Sequence, residues 1–235
     1  MLRDPFFNIY YVISEKLDNI SHYSEFLNSS LYQEHGRLDK LEKDSRFNQQ
    51  EIYEDDYEDK VAAHLMEKYN INDVFPQQIF ISTILLSYGA FEYLLIYLCS
   101  YYDKNVDIEI KYELNTFKKG QFLKISECVQ FLDKNFTTDL TNNPSLEFLS
   151  QIRELRNTYA HDNGKLKKNS KRYKEIDSLA QKHPNVIRLV PLIDLFDHNN
   201  NEKTHYQVQI LNSDINYITI QNFKRFFEDL EKELP

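Results

Sequence analysis

The chain has 235 residues, 41% hydrophobic and 28% charged, with only 4 Gly and 6 Pro; this fits one globular domain with a sizeable core, or two small ones, and favours helices over a sandwich or barrel. A formal net charge of −9 argues against a non-specific polyanion binder, which would be basic overall. The only cysteines, Cys99 and Cys128, lack metal-ligand spacing and read as reduced, mostly buried thiols of a cytosolic protein.

The N-terminal MLRDPFFNIYYV has acids close behind it and no small-residue cleavage site, so no secretory signal is read there. Apolar periodicity predicts a first helix over about Phe6 to Leu31. The run EIYEDDYEDK, Glu51 to Lys60, holds six acids and one lysine and reads as a solvated helix face. It leads into VAAHLMEKY, where Val61, Leu65 and Tyr69 recur at helical spacing, and Asn70 to Pro76 reads as a connector. IFISTILLSYGAFEYLLIYLCSYY, Ile79 to Tyr102, is long enough to cross a bilayer. Glu92 near its middle, the interspersed Ser82, Thr83, Ser87 and Ser100 and the absence of a Lys/Arg-rich anchor before it point instead to a buried central helix, apolar all round, and to no membrane.

Asn105 to Gly120 is polar and reads as irregular. Phe122 to Leu132 has short helical periodicity. In Asn143-Pro144-Ser145, an N-cap residue precedes a proline at the first helical position. Phe148, Ile152, Leu155 and Tyr159 then form one apolar stripe. Gly164 suits the left-handed position past a helix end, and Asn163 tolerates similar dihedrals, which predicts a helix over about 144–162. A basic linker follows, then two strands in VIRLVPLIDLF and HYQVQIL. The second alternates, with Tyr206, Val208 and Ile210 on one face and Gln207 and Gln209 on the other. Pro191 makes the first an edge or broken strand, and DHNNNEKT is the loop between them. Phe223, Phe226, Phe227, Leu230 and Leu234 mark a last amphipathic helix. The predicted fold is mainly α: a helical bundle with a small β-hairpin before the last helix, in a single domain over 1–235.

The stretch LRNTYAHDNGK, Leu155 to Lys165, concentrates the chemistry. With about 100° per residue, Arg156 lies at the edge of the apolar stripe, while Asn157 and His161 share a face pointing away from the core, with Arg153 one turn before them. Histidine titrates near neutrality and can take or give a proton. A guanidinium forks onto phosphate oxygens and stabilises charge building on phosphorus. RNA supplies its own nucleophile, the 2′-OH, so an Arg/His pair suffices to cleave it without metal and leave a 2′,3′-cyclic phosphate. One outward histidine is half a site, and a two-fold dimer would bring two such rows together. The same residues also fit an ordinary helix end whose histidine compensates the helix dipole.

Arg156-Asn157, three residues, then His161-Asp162-Asn163-Gly164 at the end of an amphipathic helix resembles the signature of the HEPN superfamily, and SYGAFEYLL is similar to the preceding core helix of such proteins. The resemblance covers roughly residues 75 to 235, leaving 1–70 as an N-terminal helical extension of a core over 71–235. It implies a homodimeric, metal- and cofactor-independent ribonuclease of toxin or antiviral-defence type, with Arg156 and His161 catalytic and Asn157 joining them. By family analogy the RNA includes transfer RNA, and an inhibitory antitoxin or regulatory partner fits the same picture.

Two features bear on that reading. KLKKNSKRYK places Lys165, Lys167, Lys168, Lys171, Arg172 and Lys174, six positive charges in ten residues, directly after the motif; the patch is either an RNA-binding surface or a solvated linker. Glu92, costly to bury unpaired, is expected to orient Arg156, with Arg153 as second partner; solvent exposure or a tyrosine partner is the alternative. Two other functions stay open: a catalytically inactive helical dimerisation or interaction module and, more weakly, a nucleotide binder, for which the chain has no Gly-rich phosphate loop.

Overall fold

The computed structural model describes the backbone of residues 5–43, 54–105, 124–136, 138–192 and 205–234. The polar stretch after Asn105, Phe122 and the loop 197–204 lie outside the described residues. So do the side chains of the acidic run except Asp59, which is exposed. The order is α1 (Pro5–Lys43), α2 (Glu54–Tyr69), a π-helical turn (Asn70–Val74), α3 (Phe75–Asn105), α4 (Ile125–Phe136), a 3₁₀ turn (Leu140–Asn142), α5 (Pro144–Asp162), β1 (Lys165–Lys167), α6 (Lys171–Lys182), β2 (Ile187–Pro191), β3 (His205–Ile210) and α7 (Asp214–Glu233). The fold is mainly α, as expected.

α3 is the central helix, and α1, α4, α5 and α7 pack around it. Phe91 is fully buried and meets the rings of Phe223, Phe226 and Phe227 at 4.8, 5.3 and 5.3 Å. The expected all-round burial of α3 is corrected on one side, where Leu86, Tyr93 and Tyr97 are 51–57% exposed. The surrounding helices do not close over that stripe. By length and composition the helical stretch Val61–Asp103 is apolar enough to cross a bilayer, and 44% of its most apolar window is buried inside the fold.

α1 runs farther than its periodicity predicts, and its Ile13 and Leu17 join the same core as α3 and α7. Polar pairs fix its alignment on α7: Asn216 Nδ2 donates to Ser24 Oγ at 3.0 Å, and Lys224 pairs with Asp18. The expected connector at Asn70 to Pro76 is instead helical, a π turn leading straight into α3. Pro76 follows directly on this π turn, where the Phe75 N–H still reaches the Asn70 carbonyl, so the donor that proline lacks is missing at a point where the helical ladder is already locally altered. The stripe of Leu65 and Tyr69 on α2 is not buried; these residues are 59% and 56% exposed.

The hairpin is one part of a three-stranded antiparallel sheet, in the order β1-β3-β2. Leu166 faces Tyr206 and Leu189 faces Val208 in register. The alternation of β3 is as expected, with Val208 and Ile210 buried and Gln209 exposed. Pro191 closes β2, an edge strand that needs no donor from it. The expected basic linker is corrected: it forms β1 and the first turn of α6. Ser170 accepts from Tyr173 N at 3.1 Å as N-cap, and Ile176 and Leu179 are buried one turn apart on the face toward the core.

Candidate functional site

α5 carries the candidate residues, and both its ends follow from its sequence. Asn143 Oδ1 accepts from Ser145 N at 2.8 Å, with Pro144 inside the first turn. At the other end Asn163 and Gly164 have φ of 49° and 80°. Their N–H groups both reach the Thr158 carbonyl, which satisfies an end that would otherwise leave carbonyls unpaired. The Gly164 carbonyl accepts from Val208 N at 2.9 Å, so the helix end is tied to the sheet. Buried Ile152 and Leu155, with Tyr159 donating to the Val208 carbonyl at 2.9 Å, set the rotation of the helix.

That rotation leaves Arg156 and Asn157 half-buried and His161 exposed. Arg156 Nη1 donates to Asn157 Oδ1 at 3.0 Å, and its guanidinium carbon lies 5.8 Å from the centre of the buried Tyr88 ring. Cation–π contact and the amide bond therefore hold the guanidinium at the core edge. His161 sits about 8 Å along and around the helix from Arg156 by helix geometry, and it engages no hydrogen-bond or ion-pair partner among the described residues. Five residues also set the two about 140° apart around the helix axis, so His161 faces outward while Arg156 stays at the core edge.

Glu92 corrects an expectation. It is half-buried on α3 and forms no ion pair with Arg156 or Arg153. Each guanidinium has a nearer acceptor on its own helix: Asn157 for Arg156, and Glu154 at 3.1 Å with Ser150 at 3.4 Å for Arg153. Burial pushes the Glu92 carboxyl above its usual value, and the charges of Arg156 and then Arg153 oppose that push through space. Glu92 thus adds field at Arg156 without gripping it.

Glu154 was not read from the sequence as part of the site. It lies seven residues before His161, which returns it to nearly the same face. Its carboxylate is held by Arg153 and, at 3.4 Å, by Arg172 Nε; Arg172 also pairs with Asp162. The signal lay in α6, whose antiparallel packing on α5 is visible only once residues 171–182 are recognised as a helix. Arg172 is therefore engaged with acids, and the freely presented part of the basic patch is Lys165, Lys167, Lys168, Lys171 and Lys174, all exposed. They begin four residues beyond His161, on β1 and the first turn of α6.

Among the described residues no three His, Cys, Asp or Glu side chains group as a metal site. Cys99 and Cys128 are fully buried free thiols. No family model, curated protein or solved structure matches the chain.

Proposed function

We propose that the chain is an endoribonuclease of HEPN type that cleaves RNA without metal, as a homodimer, in a toxin or antiviral-defence role in the cytoplasm. The observation that carries this reading is the arrangement on α5: a guanidinium fixed at the core edge by Tyr88 and Asn157, with a partner-free exposed histidine just over one turn away. Five exposed lysines adjoin that end and supply salt-sensitive attraction for phosphates.

In the proposed reaction the RNA 2′-oxygen bonds to the adjacent phosphorus and the bond to the 5′-oxygen breaks. A neutral His161 takes the 2′-OH proton, and a protonated histidine in the equivalent row of a second copy gives a proton to the leaving 5′-oxygen. Arg156 holds the charge that builds on the phosphoryl oxygens, and Asn157 keeps Arg156 aimed. The products are a 2′,3′-cyclic phosphate and a 5′-OH. A transfer RNA is a suitable first substrate, and an antitoxin or regulatory partner would restrain the activity in the cell.

The test is RNA cleavage in excess EDTA by wild type, His161→Ala and Arg156→Ala, with the particle mass measured in parallel. The reading expects a dimer whose wild-type activity survives EDTA and whose two variants lose at least ~100-fold. A second reading, a non-catalytic interaction module, draws on the exposed Leu86, Tyr93 and Tyr97 of α3. A stable dimer that leaves every RNA intact would select it.

A further inference from the structure

A cavity of about 260 Å³ opens beside α5, between it and α4. Its apolar walls come from Ile125 and Val129 of α4, Leu146 and Leu149 of α5, and Tyr88 of α3. Its polar rim includes Thr141, Ser150 and Arg153. Pockets of roughly 300–1,000 Å³ hold drug-sized ligands, so this one suits a single flat ring system rather than a whole nucleotide.

Its position matters more than its size. Counting about 100° per residue, Leu146, Ser150, Arg153, Asn157 and His161 all fall on one side of α5. The cavity therefore lies at the upstream end of the row that carries the candidate chemistry, with Arg153 on the border between them. Arg153 and His161 are eight residues apart, about 12 Å along the helix. A strand whose phosphate sits at His161 would lay a nearby base over this opening.

From this geometry we infer that the cavity is a base-reading subsite for an unpaired guanine close to the scissile phosphate. The inference rests on the ribonuclease reading and names a specificity determinant for it. Apolar walls against the ring faces and polar groups at the edge are the arrangement by which single-stranded bases are held. Arg153 supplies the choice of base. Its Nη2 donates to Glu154 at 3.1 Å and to Ser150 at 3.4 Å; release of the longer Ser150 contact frees one Nη2 N–H to act beside the neighbouring guanidinium N–H toward a ligand. Adjacent donors of a guanidinium match the paired O6 and N7 acceptors of guanine; adenine puts an amino donor where O6 would be, and uracil sets an N–H donor between its two carbonyl acceptors. A base within a duplex cannot enter, because its edges are stacked and paired.

The test uses the full chain carrying His161→Ala, so that binding is read without cleavage. Fluorescein-labelled hexaribonucleotides carry five uridines and, at one central position, guanosine, adenosine or an abasic residue. The guanosine probe should bind about tenfold more tightly than the adenosine and abasic probes. Adding Arg153→Met, or Ser150→Phe to obstruct the mouth, should abolish the gap between guanosine and abasic probes, whatever either change does to overall affinity. Arg153 has a 41% exposed side chain, so Arg153→Met keeps the test usable if Ser150→Phe misfolds. Equal binding of all three probes, or a guanosine preference that survives Arg153→Met, overturns the inference. A guanosine preference in a protein whose wild type cleaves no RNA upholds the pocket and removes the ribonuclease reading. Cleavage without any base preference does the reverse.

Discussion

Gly164→Ala tests the local device that ends α5 and anchors it to the sheet. Gly164 has φ of +80°, a conformation that costs an L-residue roughly 1–2 kcal/mol. A Cβ there would also lie 2.9 Å from Tyr159 Cε1 and closer still to Gln207 Nε2. The glutamine tip can move, although it donates to the Asn163 carbonyl at 3.1 Å. The tyrosine ring is pinned by its own hydrogen bond to Val208, so overpacking adds about 1–3 kcal/mol. The sum, about 2–5 kcal/mol, corresponds to a melting temperature lower by roughly 5–15 °C for a chain of this size. Gly89→Ala is the matched control. Nothing lies within 4 Å of a Cβ at Gly89 in the middle of α3, so alanine should stabilise by up to about 1 kcal/mol. Thermal melts followed by circular dichroism read both. A Gly164→Ala protein as stable as wild type, or shifted in the same direction as Gly89→Ala, refutes the account of this helix end.

Two further outcomes follow from the site's electrostatics. Burial raises the Glu92 carboxyl above its usual value, so its charged form costs stability in the fold, and that cost grows as pH rises through the folded value. Glu92→Gln should melt above wild type at pH 7, and the gap should close as the pH is lowered and the wild-type carboxyl becomes neutral; a gap constant with pH contradicts this. Reversing Lys167 and Lys168 to glutamate should weaken RNA binding at low salt and reduce the slope of log affinity against log salt by about 1.4, two single-strand phosphate contacts. An unchanged slope removes these lysines from the RNA-binding surface.

What was legible in the sequence is what is encoded locally. Asn143-Pro144 and Asn163-Gly164 bracket α5 because capping depends on a few adjacent residues, and the alternation of β3 reports its two faces directly. Contacts set by tertiary packing were not legible. Residues 165–174 read as a linker because their lysines dominate, yet the Ser170 cap and the spacing of Tyr173, Ile176 and Leu179 carry a helix signal. Once α6 lies against α5, Arg172 turns to Glu154 and Asp162, which no charge count reveals. The Glu92–Arg156 pair was inferred from the cost of burying a charge. The carboxylate is only half-buried, and Arg156 finds Asn157 next to it in sequence. The exposure of Leu65 and Tyr69 likewise depends on what packs against α2, which periodicity does not specify.

The chemistry of the cut ends tests the central claim most directly. Wild-type protein is incubated with a defined RNA in EDTA, and the 3′ ends are analysed beside those from the same RNA bearing a single 2′-deoxy nucleotide at the cleavage position. The account predicts 2′,3′-cyclic phosphate ends on the first RNA, no cut at that position in the second, and loss of both products with His161→Ala. Cleavage that persists at the deoxy position, or in His161→Ala, contradicts it.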